Sequence, residues 1–291
     1  MMKEVKIVLD SDSMGDVLSW IPYVDKFQKI TNSKVNVLSP FSELFNYPNL
    51  HFVTTNTNLF NSVKYNPDYR IGCIGENINL VDIPLQKIAS DVLELEFEEL
   101  RPKLNIPNVS RNVLGKYVTI SCQSTAQFKY WNNFDGWQGV VDFLKNEGYN
   151  VVCIDQNRYF GDVKTIENTI PNGVIDKTSS NLSLFDRMVD IKYADFHIGL
   201  ASGLSWLAWA VGTHVHVISG FSTTEELFKN KITKSLPPSQ DICQGCWNNP
   251  QFVFDKKDWM YCPEHKSTPR VFECSRSIST EQVINDIRKL M

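Results

Sequence analysis

Lys6-Ile7-Val8-Leu9-Asp10-Ser11-Asp12-Ser13-Met14-Gly15-Asp16-Val17-Leu18 is the stretch that decides the fold. Its first four residues form a short apolar run bounded by polar turn residues, the pattern of a parallel strand covered on both faces. Val17, Leu18, Ile21, Val24 and Phe27 then recur at helical spacing, so the segment reads as strand, loop, helix. Lys34–Leu38 and Tyr69–Ile74 are strand-like in the same way. Pro84 to Leu100 reads as a helix, with Pro102 and Pro107 as breakers, and the Asn-rich stretch from Lys103 to Gly115 reads as a linker.

A second alternating block follows. Tyr117 to Cys122 reads as a strand, and Trp137, Val140, Val141 and Leu144 as a helix ended by Gly148. Asn150 to Ile154 is the next strand, Leu182 to Met188 a helix, and Phe196-His197-Ile198 a strand. Leu204 to Val211 is a helix stopped by Gly212, and Val215 to Ser219 closes the block as a strand. Two βαβ blocks joined by a Pro-containing linker imply an α/β protein with two facing doubly wound domains. At the end of the chain, Ser279-Thr280-Glu281-Gln282 has the form of a capping box. Val283, Ile287 and Leu290 then make a helical stripe expected to bury itself, with the first domain as one place for it.

Composition excludes several classes. The longest apolar runs fall well short of the ~20 residues of a membrane span. A net charge of −4 gives no electrostatic footprint for nucleic acid. The first ten residues hold too short an apolar run for a signal peptide. A soluble, cytoplasmic protein is the expectation.

Cys243-x2-Cys246, Cys262 and Cys274 carry the sharpest chemical signal. Two thiols on one short loop, joined by two more from a Pro-, Gly- and Asn-rich region, suit a tetrahedral metal. A metal stabilising such a segment by about 10–16 kcal/mol would fold it outright. The plainer alternatives are disulfides, which need an oxidising compartment, and buried thiols. Cys73, Cys122 and Cys153 lie in apolar, strand-like stretches and read as small core residues.

Three loops after strands could hold a ligand, because open α/β sheets bind beyond the carboxyl ends of their strands. Asp10–Leu18 has neither a dinucleotide-binding glycine pattern nor a P-loop lysine, but sets the carboxylate of Asp16 near a helix start. A helix-stabilising acid is the plainer reading of Asp16. Gln123–Asn132 supplies the hydroxyls of Ser124 and Thr125, Lys129 and aromatic residues, a set able to grip phosphates and a sugar. Taken alone, a surface loop with a snorkelling lysine is the favoured reading. Gly199–Trp206 is rich in small residues, which suit either tight packing or an anion at a helix N-terminus. Together the loops fit a nucleotide-sugar transferase best.

The same residues resemble a known family. Ser13-Met14-Gly15-Asp16-Val17-Leu18, followed by Ile21-Pro22, resembles the opening motif of glycosyltransferase family 9, the ADP-heptose transferases. The segment from Gly199 to Gly212 resembles that family's donor-phosphate loop. The tetracysteine segment, with Cys246-Trp247-Asn248, Tyr261-Cys262-Pro263 and Phe272-Glu273-Cys274, is similar to that of the bacterial autotransporter O-heptosyltransferases, which carry an iron-binding finger. The resemblance covers nearly the whole chain, and the pairing of opening motif with finger is its most specific part.

The resemblance implies a GT-B fold, two facing Rossmann-like doubly wound domains with a C-terminal tetracysteine metal finger. Residues 1–108 would be the acceptor domain, 109–239 the nucleotide-sugar donor domain, 240–276 the finger and 277–291 a terminal helix. It implies inverting transfer of a sugar, heptose from an ADP-activated donor first, to a hydroxyl of a protein or glycan acceptor, with protein Ser/Thr favoured. Asp16 falls on the general base. Lys129, Thr125 and the neighbouring Ser124 fall on the loop that contacts donor phosphates, and Lys129 would stabilise the leaving group. Ser202, Gly203, Leu204 and Ser205 fall on the loop whose amides hold the diphosphate. Cys243, Cys246, Cys262 and Cys274 fall on the metal ligands, iron by resemblance and zinc by coordination chemistry.

Two departures stand against the pattern. Lipopolysaccharide-type members carry Asp where this chain has Ala201 and His where it has Trp206, so donor contacts there differ. Protein-modifying members carry an additional N-terminal domain, whereas this sequence starts at the first strand, which leaves the acceptor and a homo-oligomer open. A non-catalytic nucleotide-sugar binding subunit and a metal- or redox-sensing module are the competing functions.

Overall fold

The computed structural model describes residues 3–53, 65–72, 83–161, 169–179, 181–222, 230–249, 251–252, 255 and 257–291. Cys73, Ile74 and the loop from Asn56 to Lys64, in which the sequence shows no acceptor signature, lie outside the described residues. The chain divides into two compact units that meet in sequence between Ile106 and Pro107, inside the stretch read as a linker. The first half of that stretch is tied down: Leu104 bridges to Phe45, and Asn46 N and Asn105 N donate to Lys103 O and Leu44 O at 2.9 and 2.8 Å.

In the first unit, β1 (Glu4–Leu9) pairs in parallel with β2 (Lys34–Leu38) and β4 (Tyr69–Ile71), and β2 pairs with β3 (Leu50–Phe52). The order is β3-β2-β1-β4, so the chain changes direction across the sheet between β1 and β4. Ile7, Val8 and Leu9 are consecutive and all buried, as a strand covered on both faces requires. Helix α1 (Met14–Thr31) follows β1, and Asn32 in the left-handed region ends it.

Helix α2 corrects the sequence reading. It spans Leu85–Val92, about half of the helix expected from Pro84 to Leu100. Glu94 takes φ +55°, and Leu95 N donates to Ser90 O while Glu94 N donates to Asp91 O, so the chain turns out of the helix in a Schellman-type stop. The following Leu-Glu-Leu-Glu-Phe alternates with period two, which is an extended pattern, not a helical one. The Trp20 indole donates to Leu85 O at 3.0 Å and fixes α2 against α1.

Among the described residues the second unit holds six parallel strands: β5 (Tyr117–Ser121), β6 (Asn150–Cys153), β7 (Ile175–Asp176), β8 (His197–Leu200), β9 (Val215–Ile218) and β10 (Ile232–Ser235). Their order is β10-β9-β8-β5-β6-β7. Counted from β5 this is the 3-2-1-4-5-6 order of a dinucleotide-type sheet, with its reversal between β5 and β8. Ligands in such sheets bind beyond the strand ends at the reversal. Helices α3 (Gly136–Asn146), α4 (Leu184–Lys192) and α5 (Gly203–Val211) connect the strands, and Gly212 at φ +100° stops α5. A capping box of Ser183 and Asp186, unmarked in the sequence reading, starts α4.

Short α6 (Glu273–Arg276) and α7 (Thr280–Ile287) finish the chain. Val283 and Ile287 are fully buried in the second unit's core, with Val140, Val141 and Leu144 of α3. The terminal helix therefore buries its stripe, as expected, in the core of its own unit. The capping box is also only half present: Ser279 Oγ accepts from Gln282 N, but the Gln282 side chain donates to Leu236 O at 2.7 Å instead of turning back. Among the described residues no helix is long and apolar enough to cross a membrane.

Candidate functional site

Asp16 lies in the first turn of α1, beyond the carboxyl end of β1 and at the first sheet's reversal. Ser11 Oγ donates to its Oδ2 at 2.5 Å, and Ser11 in turn accepts from Ser13 N at 3.1 Å. The half-buried carboxylate is thus oriented by its own loop. Nearby Asp10 is paired with Arg70 at 2.6 Å. All the other candidates belong to the second unit.

The loop after β5 is held from below by Asp155. Its Oδ2 accepts from Cys122 N at 2.7 Å and its Oδ1 from Gln123 N at 3.3 Å, while the Cys153 thiol lies 3.4 Å from Oδ2. Burial pushes the Asp155 carboxyl up to about 7, against those donors and the nearby Arg187. The cluster of Cys122, Cys153 and Asp155 has the ligand types of a metal site. The carboxylate is already satisfied by two backbone N–H groups and the Cys153 thiol, so the cluster reads as a loop anchor. Ser124 is buried, Thr125 is exposed, and Lys129 ends a single 3₁₀ turn, Gln127–Lys129.

Across the reversal, the loop after β8 leads into α5. Ser202 is the N-cap residue in extended conformation, and Ser202 N donates to Leu200 O at 2.7 Å. The following amides, of Gly203 and Leu204, are the first-turn donors that helix geometry leaves for an anion. Ser205 differs from its neighbours: it is buried and its hydroxyl donates to Leu200 O at 2.6 Å, so its side chain shapes the loop. Gly199 is there because nothing larger fits. A Cβ would lie 2.4 Å from Ser205 Oγ, 2.6 Å from Ser121 Oγ and 2.7 Å from His197 Nε2. His197 is enclosed between Thr119 and Ser121 at 3.0 and 3.1 Å, and burial drops it to about 3, so it is a neutral strut.

The four cysteines 243, 246, 262 and 274 line one small cavity, about 20 Å³, walled by Phe128, Phe221, Tyr261 and Phe272. That is room for roughly one ion or water. Burial pushes the thiol of Cys274 up to about 12, and those of Cys243 and Cys246 upward as well, with the neighbouring sulfurs adding to the rise. Four thiols lining one cavity are a donor set suited to a metal, whose charge would let them become thiolates. Cys243 also lies near His265 and Glu273. Glu273, however, is gripped by Arg270 through Nε at 2.6 Å and Nη2 at 2.5 Å, and accepts from Cys243 N at 2.9 Å. Arg270 holds its carboxyl down at about 2, so Glu273 reads as a partner of the loop that carries Cys243.

No residue pattern signals that the cysteine-bearing segment is built into the loops at the sheet's reversal. Gln127 N donates to Trp259 O at 3.0 Å, and the Trp259 indole returns a bond to Gln127 Oε1 at 3.2 Å. Asn132 Nδ2 donates to Ser275 Oγ at 2.8 Å and Gln127 Nε2 to Asn132 Oδ1 at 2.7 Å. Gly245 N and Trp247 N donate to Gly220 O and Phe221 O, in the loop after β9. Ala126, Phe128, Phe221, Tyr261 and Phe272 form one small core, against which Ala201 and Trp247 pack. Ala201 is apolar here because it faces that core. Trp206, the other departure, is buried and meets Trp209 edge-on at 5.8 Å.

The protein-family model for glycosyltransferase family 9 (heptosyltransferase) matches residues 49–258. The autotransporter heptosyltransferase Aah of Escherichia coli is 39% identical over 298 residues, covering 99% of this chain and 74% of Aah. The iron-containing dodecameric glycosyltransferase TibC from enterotoxigenic E. coli H10407 superimposes with a TM-score of 0.88 at 33% identity, over 99% of this chain and 76% of that one. TibC in complex with ADP-D-β-D-heptose gives a TM-score of 0.87 at 33% identity, over 99% of this chain and 77% of that one. BimC of Burkholderia thailandensis, named as an inactive autotransporter heptosyltransferase, is 30% identical over 299 residues, 99% of this chain and 69% of BimC.

Proposed function

The chain belongs to glycosyltransferase family 9, and from that premise we propose that it transfers heptose from ADP-heptose to a hydroxyl of a protein acceptor, with inversion at the anomeric carbon. The two units are read as the acceptor and donor halves of a GT-B enzyme. The observation that carries the donor half is the pairing, at the β5–β8 reversal, of Lys129's loop with the N-terminus of α5. A cation and unpaired first-turn amides are what a departing diphosphate needs. The acceptor class rests on relatives named as autotransporter heptosyltransferases.

In this reading Asp16 takes the acceptor hydroxyl's proton as its oxygen bonds to the anomeric carbon. The bond from that carbon to the phosphate oxygen breaks, and ADP leaves. Ser11 keeps the Asp16 carboxylate aimed, since its hydroxyl occupies Oδ2. Ser124, Thr125, Lys129, Ser202, Gly203, Leu204 and Ser205 make up the donor seat, Ser205 by shaping the loop. Cys243, Cys246, Cys262 and Cys274 would hold a structural metal, whose charge stabilises four thiolates in a buried site. Iron is the metal for which TibC is named, and zinc suits the same donor set. Self-association into a homo-oligomer is part of the proposal, by likeness to dodecameric TibC.

The inactive relative BimC favours a second reading, a nucleotide-sugar binding subunit. One experiment separates the two. Purified protein is incubated with ADP-heptose and an autotransporter passenger, and the acceptor's intact mass is followed. Transfer by the wild type, slowed about 10²–10⁴-fold in Asp16→Asn with ADP affinity retained, is expected. ADP binding without acceptor modification would move the protein to the binding reading.

A further inference from the structure

Lys129 does not stand alone in its loop. Its Nζ lies 6.0 Å from the ring centre of Phe128, 5.6 Å from Phe221 and 5.7 Å from Trp247. These distances are within the range of cation–π attraction, which is strongest for tryptophan. The rings are themselves braced: Phe128 meets Phe221 edge-on at 5.0 Å and Tyr261 at 5.5 Å, and Phe221 meets Trp247 at 6.5 Å. The three rings come from three places, the 3₁₀ turn after β5, the loop after β9 and the finger. Trp247 follows Cys246 directly, and its backbone N–H is fixed on Phe221 O at 2.9 Å. Its position is therefore set by the same turn that presents one of the four thiols.

We propose that Trp247 is a positioning residue of the donor site: it completes an aromatic box around the Lys129 ammonium and so couples the finger to diphosphate binding. This rests on the reading of Lys129 as a donor-phosphate contact. A lysine on a flexible four-carbon stem loses side-chain entropy on every binding event unless its head is already held. The box holds it before the nucleotide arrives, and the bonds Gln127–Trp259 and Asn132–Ser275 hold the turn beneath it. Both clamp residues flank finger cysteines, Trp259 before Cys262 and Ser275 after Cys274. The finger thus has work beyond its own folding. Coupling between two sites is reciprocal, so a nucleotide that engages Lys129 must also strengthen retention of whatever the four thiols bind.

The test is a double-mutant cycle on ADP affinity by calorimetry, using the full chain purified with its native metal. Lys129→Met, Trp247→Leu and the double variant are compared, with Trp247→Phe as the conservative control and metal content measured for each. Trp247→Leu should weaken ADP about 5- to 10-fold, within the range of a partly desolvated cation–π contact. It should weaken ADP little or not at all in the Lys129→Met background, and Trp247→Phe should restore most of the affinity. ADP should also slow removal of the metal by a chelator in the wild type and not in Trp247→Leu. Equal losses from Trp247→Leu with and without Lys129 would overturn the proposal. So would a Trp247→Phe protein, metal-loaded and folded, that binds ADP as poorly as the Leu variant. If Lys129→Met itself leaves ADP affinity unchanged, the reading of Lys129 fails first, and that result is distinct from either.

Discussion

Gly199→Ala is the change that probes how the proposed donor site is built without replacing any proposed ligand contact. The added methyl would lie 2.4 Å from Ser205 Oγ, 2.6 Å from Ser121 Oγ and 2.7 Å from His197 Nε2. None of the three can simply swing away. Ser205 is bonded to Leu200 O, and Ser121 and His197 hold each other across the strands at 3.1 Å in a fully buried setting. Overpacking of this kind costs about 1–3 kcal/mol. Breaking one buried hydroxyl bond adds about 1 kcal/mol. A loss near 2–4 kcal/mol corresponds to a fall in melting temperature of roughly 4–16 °C for a domain of this size. ADP affinity should fall too, because α5 starts four residues later and moves with the loop. Adding Ser205→Ala removes the nearest atom and should recover part of both losses. Calorimetry and thermal melts of the three proteins check this. An unchanged melting temperature in Gly199→Ala would refute the packing argument.

Asp155 supplies a pH prediction. Its carboxyl titrates near 3.8 when unperturbed and is lifted by burial to about 7 in the folded chain, so the folded state holds the proton more tightly. Its contribution is complete below about pH 4 and is lost as pH rises through 7, at most roughly 4 kcal/mol over that window. Buried His197 and His216 are shifted down and act in the opposite sense, so Asp155→Asn against wild type is the comparison, by urea midpoints at pH 5 and pH 8. The wild type should lose more stability than the variant on going to pH 8, and parallel losses would rule Asp155 out. Cys274→Ser should lose bound metal and weaken ADP at the same time, because Cys274 lies in the element that clamps Asn132; metal analysis with calorimetry reads both. Gly220→Ala should destabilise the finger's seat by about 1–3 kcal/mol, since its Cβ would lie 2.7–2.9 Å from Cys274 atoms, two of them backbone. Faster metal loss to a chelator is the readout.

Where side-chain periodicity and stop signals agreed, elements were legible from sequence. The run Ile7-Val8-Leu9, the stripe Val17 to Phe27 and the stops at Gly148 and Gly212 all recur in the structure. Pro84 and Pro102 obscured the end of α2, although the period-two run after Leu93 carried the information. Strands β3, β7 and β10 escaped notice because they have only two to four residues, too few to show a period. The four cysteines announced themselves by spacing, and the structure gathers them around one cavity. What no spacing could reveal is where the cysteine-bearing segment docks. That depends on pairs such as Gln127 with Trp259 and Asn132 with Ser275, 132 and 143 residues apart, and only the folded sheet brings them together. Asp155 was silent for the same reason, since a lone acid after a strand is ordinary until its two backbone donors are seen.

Titration calorimetry of the metal-loaded protein with ADP-heptose, and with ADP, UDP and NAD as controls, tests the central claim most directly. The account predicts saturable binding of ADP-heptose and ADP and no response to NAD or UDP. Preference for UDP, or silence toward ADP-heptose by folded, metal-loaded protein, would contradict it.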